Sequence, residues 1–288
     1  MIVFGSNIES KVNRVRDLVP EALEALCQDG SGGTGLPINS GHSNFRIHRE
    51  EFSVIFARPW GGSTAFLSSM AVQLSVKKDI PVAYFTLDLS RDILVQRMLC
   101  LYSGEKFCPL TANRNMPRLT AAAGALSEAP LYVLEGKFDL DGLERSIRRL
   151  VRERKIQFFA VDTIDQVGEF YELDSFSKRA ERERICARLK KLARSLDVAI
   201  TAIIKIDSDP GNLGTKKGDL SEPNVHLIFR KEGNVARFAE NVMVLNILFR
   251  DISGHLYVKS PRMAGMECVQ LRYDQGSLRC SFTGDNDV

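Results

Sequence analysis

Apolar residues along this chain fall into two alternating kinds of run. Short, nearly continuous apolar runs rich in β-branched and aromatic residues occupy Phe52–Ala57, Val82–Leu87, Leu131–Leu134, Phe158–Val161, Ala199–Ile204, Val242–Phe249 and Leu256–Val258. Longer stretches with apolar positions three and four apart lie between the early ones: Thr64–Lys78, Arg91–Tyr102, Leu119–Ser127, Leu140–Lys155 and Glu181–Leu196. The short runs suit strands buried on both faces, and the longer stretches suit the helices that cover them. The alternation therefore predicts an α/β fold, a mostly parallel sheet flanked by helices. The last strands follow one another without helices, which predicts an antiparallel edge. No internal repeat is present at a fixed period.

The first residues read differently. Val12, Val15, Leu18, Val19, Leu23 and Leu26 recur at near-helical spacing between Ile8 and Cys27, and Pro20 allows either a kink or two short helices there. Asp29–Gly35 has the composition of a flexible hinge. The expected organisation is a linker helix and hinge over residues 1–33 and one main domain over 34–288. Asp207–Glu222, rich in Gly, Asp, Ser and Lys, reads as a long loop of the kind that carries function or disorder. Lys178–Arg184 mixes both signs at helical spacing and reads as a solvated helix face with local ion pairs.

Composition narrows the classes. With 44% apolar and 26% charged residues the chain is ordinary globular protein. A formal net charge of +3 is too small for a whole-molecule field to attract nucleic acid, so any DNA contact must come from local stripes. The six cysteines include no Cys-x-x-Cys pair, which argues against a disulfide framework or zinc site and for a reducing compartment. The longest apolar run, Val242–Phe249, contains Asn246 and falls far short of the roughly 20 residues of a membrane span. Met1–Asn7 lacks the layout of a signal peptide. A soluble cytoplasmic protein without membrane contact is the expectation.

Candidate chemistry gathers at strand ends. The first strand runs into Ala57-Arg-Pro-Trp-Gly-Gly-Ser-Thr64 and then a helix, the placement of a phosphate-cradling P-loop; it is also the form of an ordinary strand-to-helix turn. Phe158-Phe-Ala-Val-Asp162 ends in a carboxylate, as does a strand that holds Mg²⁺ through an aspartate. Tyr84-Phe-Thr-Leu-Asp88 is a second apolar strand ending in an acid. In a parallel sheet these ends converge at the carboxyl edge, where ligands of α/β folds sit.

Over nearly the whole chain these segments resemble, in order and spacing, the RecA-like ATPase domain of DnaB-type replicative helicases. Thr34-Gly-Leu-Pro37 resembles the family's Thr-Gly-Ile-Pro. Ala57-Arg-Pro59 with Gly62, Thr64, Ala65 and Phe66 is similar to Ala-Arg-Pro…Gly-Lys-Thr-Ala-Phe. Phe85-Thr-Leu-Asp-Leu-Ser90, with Arg97 downstream, resembles Phe-Ser-Leu-Glu-Met-Ser and its following Arg. Ala129-Pro-Leu-Tyr132, Ile147-Arg-Arg-Leu150 and Leu189-Lys-Lys-Leu-Ala193 look like further family segments. The resemblance implies ATP and Mg²⁺ as ligands, with Arg58, Gly61, Gly62, Ser63, Thr64 and Ala65 around the phosphates and Thr64 and Asp162 on the metal.

The departures fall on catalytic positions. Ser63 stands where the family's loop has lysine, Asp88 where it has the water-activating glutamate, and Lys205 where it has the glutamine that senses the γ-phosphate. The family's Lys-x-Arg pair, which reaches a neighbouring subunit's ATP, corresponds to Lys259-Ser-Pro-Arg262 with one extra residue between. Loss of the lysine removes a charge-assisted contact of roughly 1.5–3 kcal/mol. By analogy with lost transition-state donors it slows hydrolysis on the order of 10²–10³-fold. The shorter acid misplaces its carboxylate by about 1 Å, worth ~10²-fold alone. One compensation is available: the Lys205 ammonium facing the γ-phosphate from the opposite side, against solvation or pairing with Asp207 or Asp88.

The family's Arg-Glu-Ser-Gly DNA-binding loop corresponds to Lys231-Glu232-Gly233-Asn234, with Lys216, Lys217 and Arg230 near in sequence. Such a basic, amide-rich turn suits salt-dependent, sequence-tolerant binding of single-stranded DNA, although Lys216-Lys217 also fits a solvated loop. The Ile8–Cys27 helix matches the family's linker that docks on the adjacent subunit, implying a ring, expected to be hexameric, or an open spiral. The resemblance begins at that linker; a form lacking the family's N-terminal helical domain and a longer chain carrying it both fit. Two readings stay open. One is a DnaB-like protein of DNA replication with weak or lost ATP hydrolysis, partnered with single-stranded DNA and with a replicative helicase or other replisome proteins. The other is an active ATP-dependent 5′–3′ helicase using Lys205. A recombinase-type or clock-type RecA relative shares the core but lacks the linker and strand-end segments.

Overall fold

The computed structural model describes residues 36–37, 46–107, 115–168, 173–206, 228, 235, 237–248, 253–260 and 265–282. All belong to the larger of the two units into which the chain divides, residues 36–288. The expected linker helix and the 207–222 loop lie outside the described residues.

Each apolar run is a strand. In chain order the elements are β1 (Leu36–Pro37), β2 (Arg46–Ile47), β3 (Phe52–Ala57), α1 (Ser63–Val72) running into a π-helical turn (Gln73–Lys77), β4 (Val82–Thr86), α2 (Arg91–Ser103), α3 (Met116–Glu128), β5 (Leu131–Glu135), α4 (Leu140–Arg154), β6 (Phe158–Asp162), a 3₁₀ turn (Ile164–Gln166), α5 (Ser175–Leu196), β7 (Ala199–Lys205), β8 (Asn241–Leu248), β9 (Ser253–Lys259), β10 (Met266–Asp274) and β11 (Arg279–Phe282). Nine strands form one sheet in the order β11-β10-β9-β8-β3-β7-β6-β4-β5. The neighbours from β8 to β5 are parallel, and β8-β9-β10-β11 are antiparallel, as the helix-free tail predicts.

Side chains alternate across the sheet, and each face buries its own helices. On one face Leu140, Leu143, Ile147 and Leu150 of α4 and Ile185, Leu189 and Leu192 of α5 pack on Phe85, Phe159, Ile200, Ala202 and Ile204. On the other, Phe66, Leu67 and Met70 of α1 and Leu94 and Met98 of α2 pack on Ile55, Tyr84, Phe158, Ala160 and Ile203. Each large side chain so buried contributes about 1.5–3 kcal/mol relative to exposure. Continuing the alternation one step past Ile203 and Ile204 puts Lys205 on the α1 face. The same count along β6 puts Asp162 there too.

Some boundaries differ from the pattern. Helix α5 starts at Ser175, ahead of the expected Glu181, because the Asp174 carboxylate caps the amides of Phe176 and Ser177 at 2.8 and 2.9 Å. Helix α3 starts at Met116, with Asn115 as cap and Pro117 in its first turn. Strands β10 and β11 carry no continuous apolar run, since most β10 side chains face outward and only Leu271 and Tyr273 are buried. Among the described residues no helix is long and apolar enough to cross a membrane.

Candidate functional site

The loop after β3 is shaped by two close approaches. The Gly61 amide donates to the Arg58 carbonyl (2.9 Å), and a Cβ at Gly61 would sit 2.8 Å from that same oxygen. Gly62 has φ +76° and precedes the first turn of α1; a Cβ there would lie 2.5 Å from Ile247 Cδ1. Only glycine meets both demands at these positions. Arg58 Nη2 donates to Asn246 Oδ1 (3.2 Å), tying the loop to β8. Trp60, φ +63°, stands 91% exposed at the loop tip. Gly62 at the N-cap offers no side chain to the first amides of α1, and among the described residues no side chain caps them.

Beneath the loop lies Asp162, 3% exposed. Its Oδ2 accepts from the Tyr84 hydroxyl at 2.9 Å, while Oδ1 is buried with no hydrogen-bond partner among the described residues. Burial pushes this carboxyl above its usual range; the Lys205 charge, then the Thr64 and Tyr84 hydroxyls, pull it back, and the Asp88 charge pushes it up. Burial first, and then the Asp162 charge, raise the Tyr84 phenol well above its ordinary value. A carboxylate oxygen sealed from water without a well-formed hydrogen bond is costly unless a cation takes it or the acid stays protonated.

Lys205 ends β7, opposite Ala57 in the parallel register. Its Nζ donates to Ser63 Oγ at 2.8 Å, and Ser63 is 1% exposed. Its backbone is held at both polar groups: the amide donates to Asp165 Oδ2 (2.7 Å) and the carbonyl accepts from Arg182 Nη2 (2.8 Å). Arg182 Nε and Asp165 Oδ1 close the ring as an ion pair at 2.8 Å, their side chains 14% and 8% exposed. Asp88 is exposed, and its Oδ1 accepts from Gln166 Nε2 (3.2 Å).

The geometry thus gathers Arg58, Gly61, Gly62, Ser63, Thr64, Ala65, Asp88, Asp162 and Lys205 at the carboxyl edge of the parallel strands. It does not bring Lys259 to the loop of its own chain: Lys259 is exposed and pairs with Val242, three residues back along β8 from the level of Ala57. Arg262 and Lys231–Asn234 lie outside the described residues. Sequence patterning does not reveal Tyr84, Asp165, Gln166 and Arg182 as parts of the site. Arg182 belongs to the mixed-charge run expected to be a solvated helix face; it turns inward to Asp165, while Arg184 pairs with Glu181 on the outer side as expected. A second acid three residues after Asp162 is the available signal for Asp165.

A sequence profile of the DnaB-like helicase C-terminal domain matches residues 45–267. The chain is 30% identical over 280 residues to the replicative DNA helicase DnaB of Treponema pallidum (strain Nichols), covering 95% of this chain and 58% of that protein. It is 26% identical over 210 residues to the replicative DNA helicase DnaB of Geobacillus stearothermophilus, covering 71% and 44%. The chain thus spans about half the length of the curated relatives it matches. Among solved structures, one isolated ATPase domain superimposes with a TM-score of 0.75 at 17% identity, over 94% of this chain and 99% of that one. A DnaB-like replicative helicase, solved in a study of its interactions with primase, gives 0.75 at 18% identity over 96% and 68%. A KaiC-like protein from Pyrococcus horikoshii gives 0.51 at 15% identity over 81% and 89%. The nine-stranded sheet is that of a RecA-like ATPase domain.

Proposed function

We propose that this chain, which belongs to the family of DnaB-like helicase C-terminal domains, acts in DNA replication by binding magnesium–ATP at the Ala57–Thr64 loop and single-stranded DNA at Lys231–Asn234, with ATP hydrolysis weak or lost. The observation that carries the nucleotide half is Asp162 Oδ1, a buried carboxylate oxygen with no partner among the described residues, beneath the first turn of α1. Mg²⁺ is bound in nucleotide sites through one or two protein oxygens with phosphate and water completing the shell. Thr64 and Asp162 supply such a set. When bound, the ion neutralises phosphate charge. Gly61 and Gly62 leave the loop's backbone open to a phosphate, and the uncapped amides of α1 point donors toward it.

The case for slow turnover rests on Asp88. Its carboxylate is one methylene shorter than the family's base, and it is engaged by Gln166. A misplacement of about 1 Å costs ~10²-fold. Assembly into a ring or spiral, hexameric by family precedent, follows from the same membership. Lys259 and Arg262 are then available to a neighbouring copy, and a replicative helicase or another replisome protein is a further partner class.

The competing reading, an active 5′–3′ helicase, is favoured by one observation, the Lys205–Ser63 contact. Steady-state Mg-ATP hydrolysis with and without single-stranded DNA, with Asp162→Ala as control, separates the two. Tight Asp162-dependent nucleotide binding with turnover at the control level supports the proposal. DNA-stimulated turnover abolished by Asp162→Ala supports the active helicase. Absence of nucleotide binding in the native chain sinks both. Binding of single-stranded DNA that weakens with salt, and that Lys231→Ala reduces, tests the DNA half.

A further inference from the structure

We propose that Lys205 is the cation that grips the terminal phosphates of the nucleotide in place of the lysine missing at position 63, and that Asp165 and Arg182 are the residues that position it. The inference rests on the nucleotide reading above and assigns its phosphate-binding charge to the end of β7 instead of to the loop before α1.

Three independent features converge on it. The first is register. Ala57 and Lys205 are partners at the ends of β3 and β7, so the lysine leaves the sheet where the phosphate loop begins. Alternation along β7 sends its side chain to the α1 face, the face that carries the loop. The second is the destination. Lys205 Nζ lies 2.8 Å from Ser63 Oγ, so the ammonium stands where a longer side chain from position 63 would otherwise pass. An ammonium has three donors; one engages Ser63, and no other acceptor within hydrogen-bond reach is present among the described residues. The remaining donors suit phosphate oxygens. Serine, with its short neutral side chain, leaves the room and accepts the bond.

The third is the anchor. A flexible four-carbon side chain delivers its head group to a defined place only from a defined backbone position. Here the Lys205 amide and carbonyl are both taken, by Asp165 Oδ2 and Arg182 Nη2, and those two side chains are locked to each other by a nearly buried ion pair. Thr163 extends the frame, its hydroxyl donating to the Ile203 carbonyl at 2.7 Å. The clamp acts on the lysine's backbone and leaves its head group toward the loop. The charge balance agrees. Relative to the family pattern a positive charge is lost at position 63 and one is gained at position 205, so the charge facing Asp162 is conserved while its point of attachment moves across the sheet.

The test uses the full chain and Mg-ATP binding measured by calorimetry. Lys205→Gln restores the residue type of the family's strand end and leaves the loop without a cation. The double variant Ser63→Lys/Lys205→Gln returns the charge to the family's position. Lys205→Gln is expected to weaken Mg-ATP on the order of 10–100-fold, as loss of a charge-assisted bond does. The double variant is expected to recover most of that loss. Positioning is read from a cycle: Asp165→Asn, and separately Arg182→Lys, weaken binding in the native background and leave it unchanged in the double-variant background. A merely structural role for the pair lowers affinity equally in both. If Lys205→Gln binds like the native chain while Asp162→Ala does not bind, the relocated cation is overturned and the nucleotide reading stands. If the native chain fails to bind and the double variant binds, Lys205 does not serve and the nucleotide reading falls for this chain as well. Failure of both to bind overturns both.

Discussion

Lys205 Nζ and Ser63 Oγ, 142 positions apart in the chain, lie 2.8 Å apart where the end of β7 meets the first turn of α1. The bond ties a sheet strand to the loop that begins on its neighbour. The Lys205 charge favours the ionised form of the buried Asp162, as do the Thr64 and Tyr84 hydroxyls, against burial and the Asp88 charge. The loop is thereby bonded to β7, and through the Lys205 backbone to Asp165 and Arg182.

Gly62→Ala forces a Cβ into a positive-φ position and into Ile247. The left-handed conformation alone costs about 1–2 kcal/mol, and the contact adds to it. Ile247→Ala removes the contact but not the backbone strain. Urea unfolding of the single and double variants should show the pair less destabilised than the sum of the singles, by about 1 kcal/mol. Strict additivity would mean that the loop simply shifts away.

Arg182→Met leaves the Asp165 carboxylate nearly buried without its cation, and a loss of about 3–5 kcal/mol is expected. Asp165→Asn added to that variant removes the uncompensated charge and should recover much of the loss. Recovery is read from the urea midpoint at constant slope. An unstable double variant would show that the hydrogen bonds to the Lys205 backbone, rather than the charge pairing, hold this region.

Burial pushes the Cys280 thiol up to about 12. A group whose folded value is raised contributes stability that is complete below its unfolded value and lost as pH rises toward the folded one. The ordinary value here is 9.0, so the loss runs from about pH 9 upward. Its slope approaches ~1.4 kcal/mol per pH unit for one proton. Cys280→Ala should flatten that slope between pH 9 and the value of about 12. An unchanged slope would assign the alkaline loss to other groups, with Tyr84, raised in the same direction, the first to examine.

Trp60 is the chain's one tryptophan and is almost wholly exposed at the loop tip. Its emission should be that of a solvated indole, and Trp60→Ala should change stability by no more than about 0.5 kcal/mol. Titration with Mg-ATP should alter the emission in the native chain and leave it unchanged in Asp162→Ala. A blue-shifted emission without nucleotide would instead show the loop tip covered in solution.

How much of this is legible in the chain follows the range of the interactions involved. The strands β3, β4, β6 and β7, the helices between them, the glycine loop and the strand-end Asp162 are all readable there. Their signals are local: apolar runs for strands buried on both faces, three-and-four spacing for helices, and a turn that only glycine accommodates. Strands β10 and β11 are not readable, because β10 turns most of its side chains outward and is held by backbone pairing to β9 and β11, while β11 is only four residues long and alternates buried Cys280 and Phe282 with polar positions. Likewise Arg182 sits in a run of mixed charges that looks solvated from the sequence, and only the packing of α5 beside β7 turns it toward Asp165. Local patterning accounts for the order of the elements from β3 to β9 and for the residue types at the carboxyl edge. Which of those residues meet was decided by strand register and by the alternation of side chains across the sheet. That long-range geometry brings Lys205 to Ser63, and no local pattern encodes it.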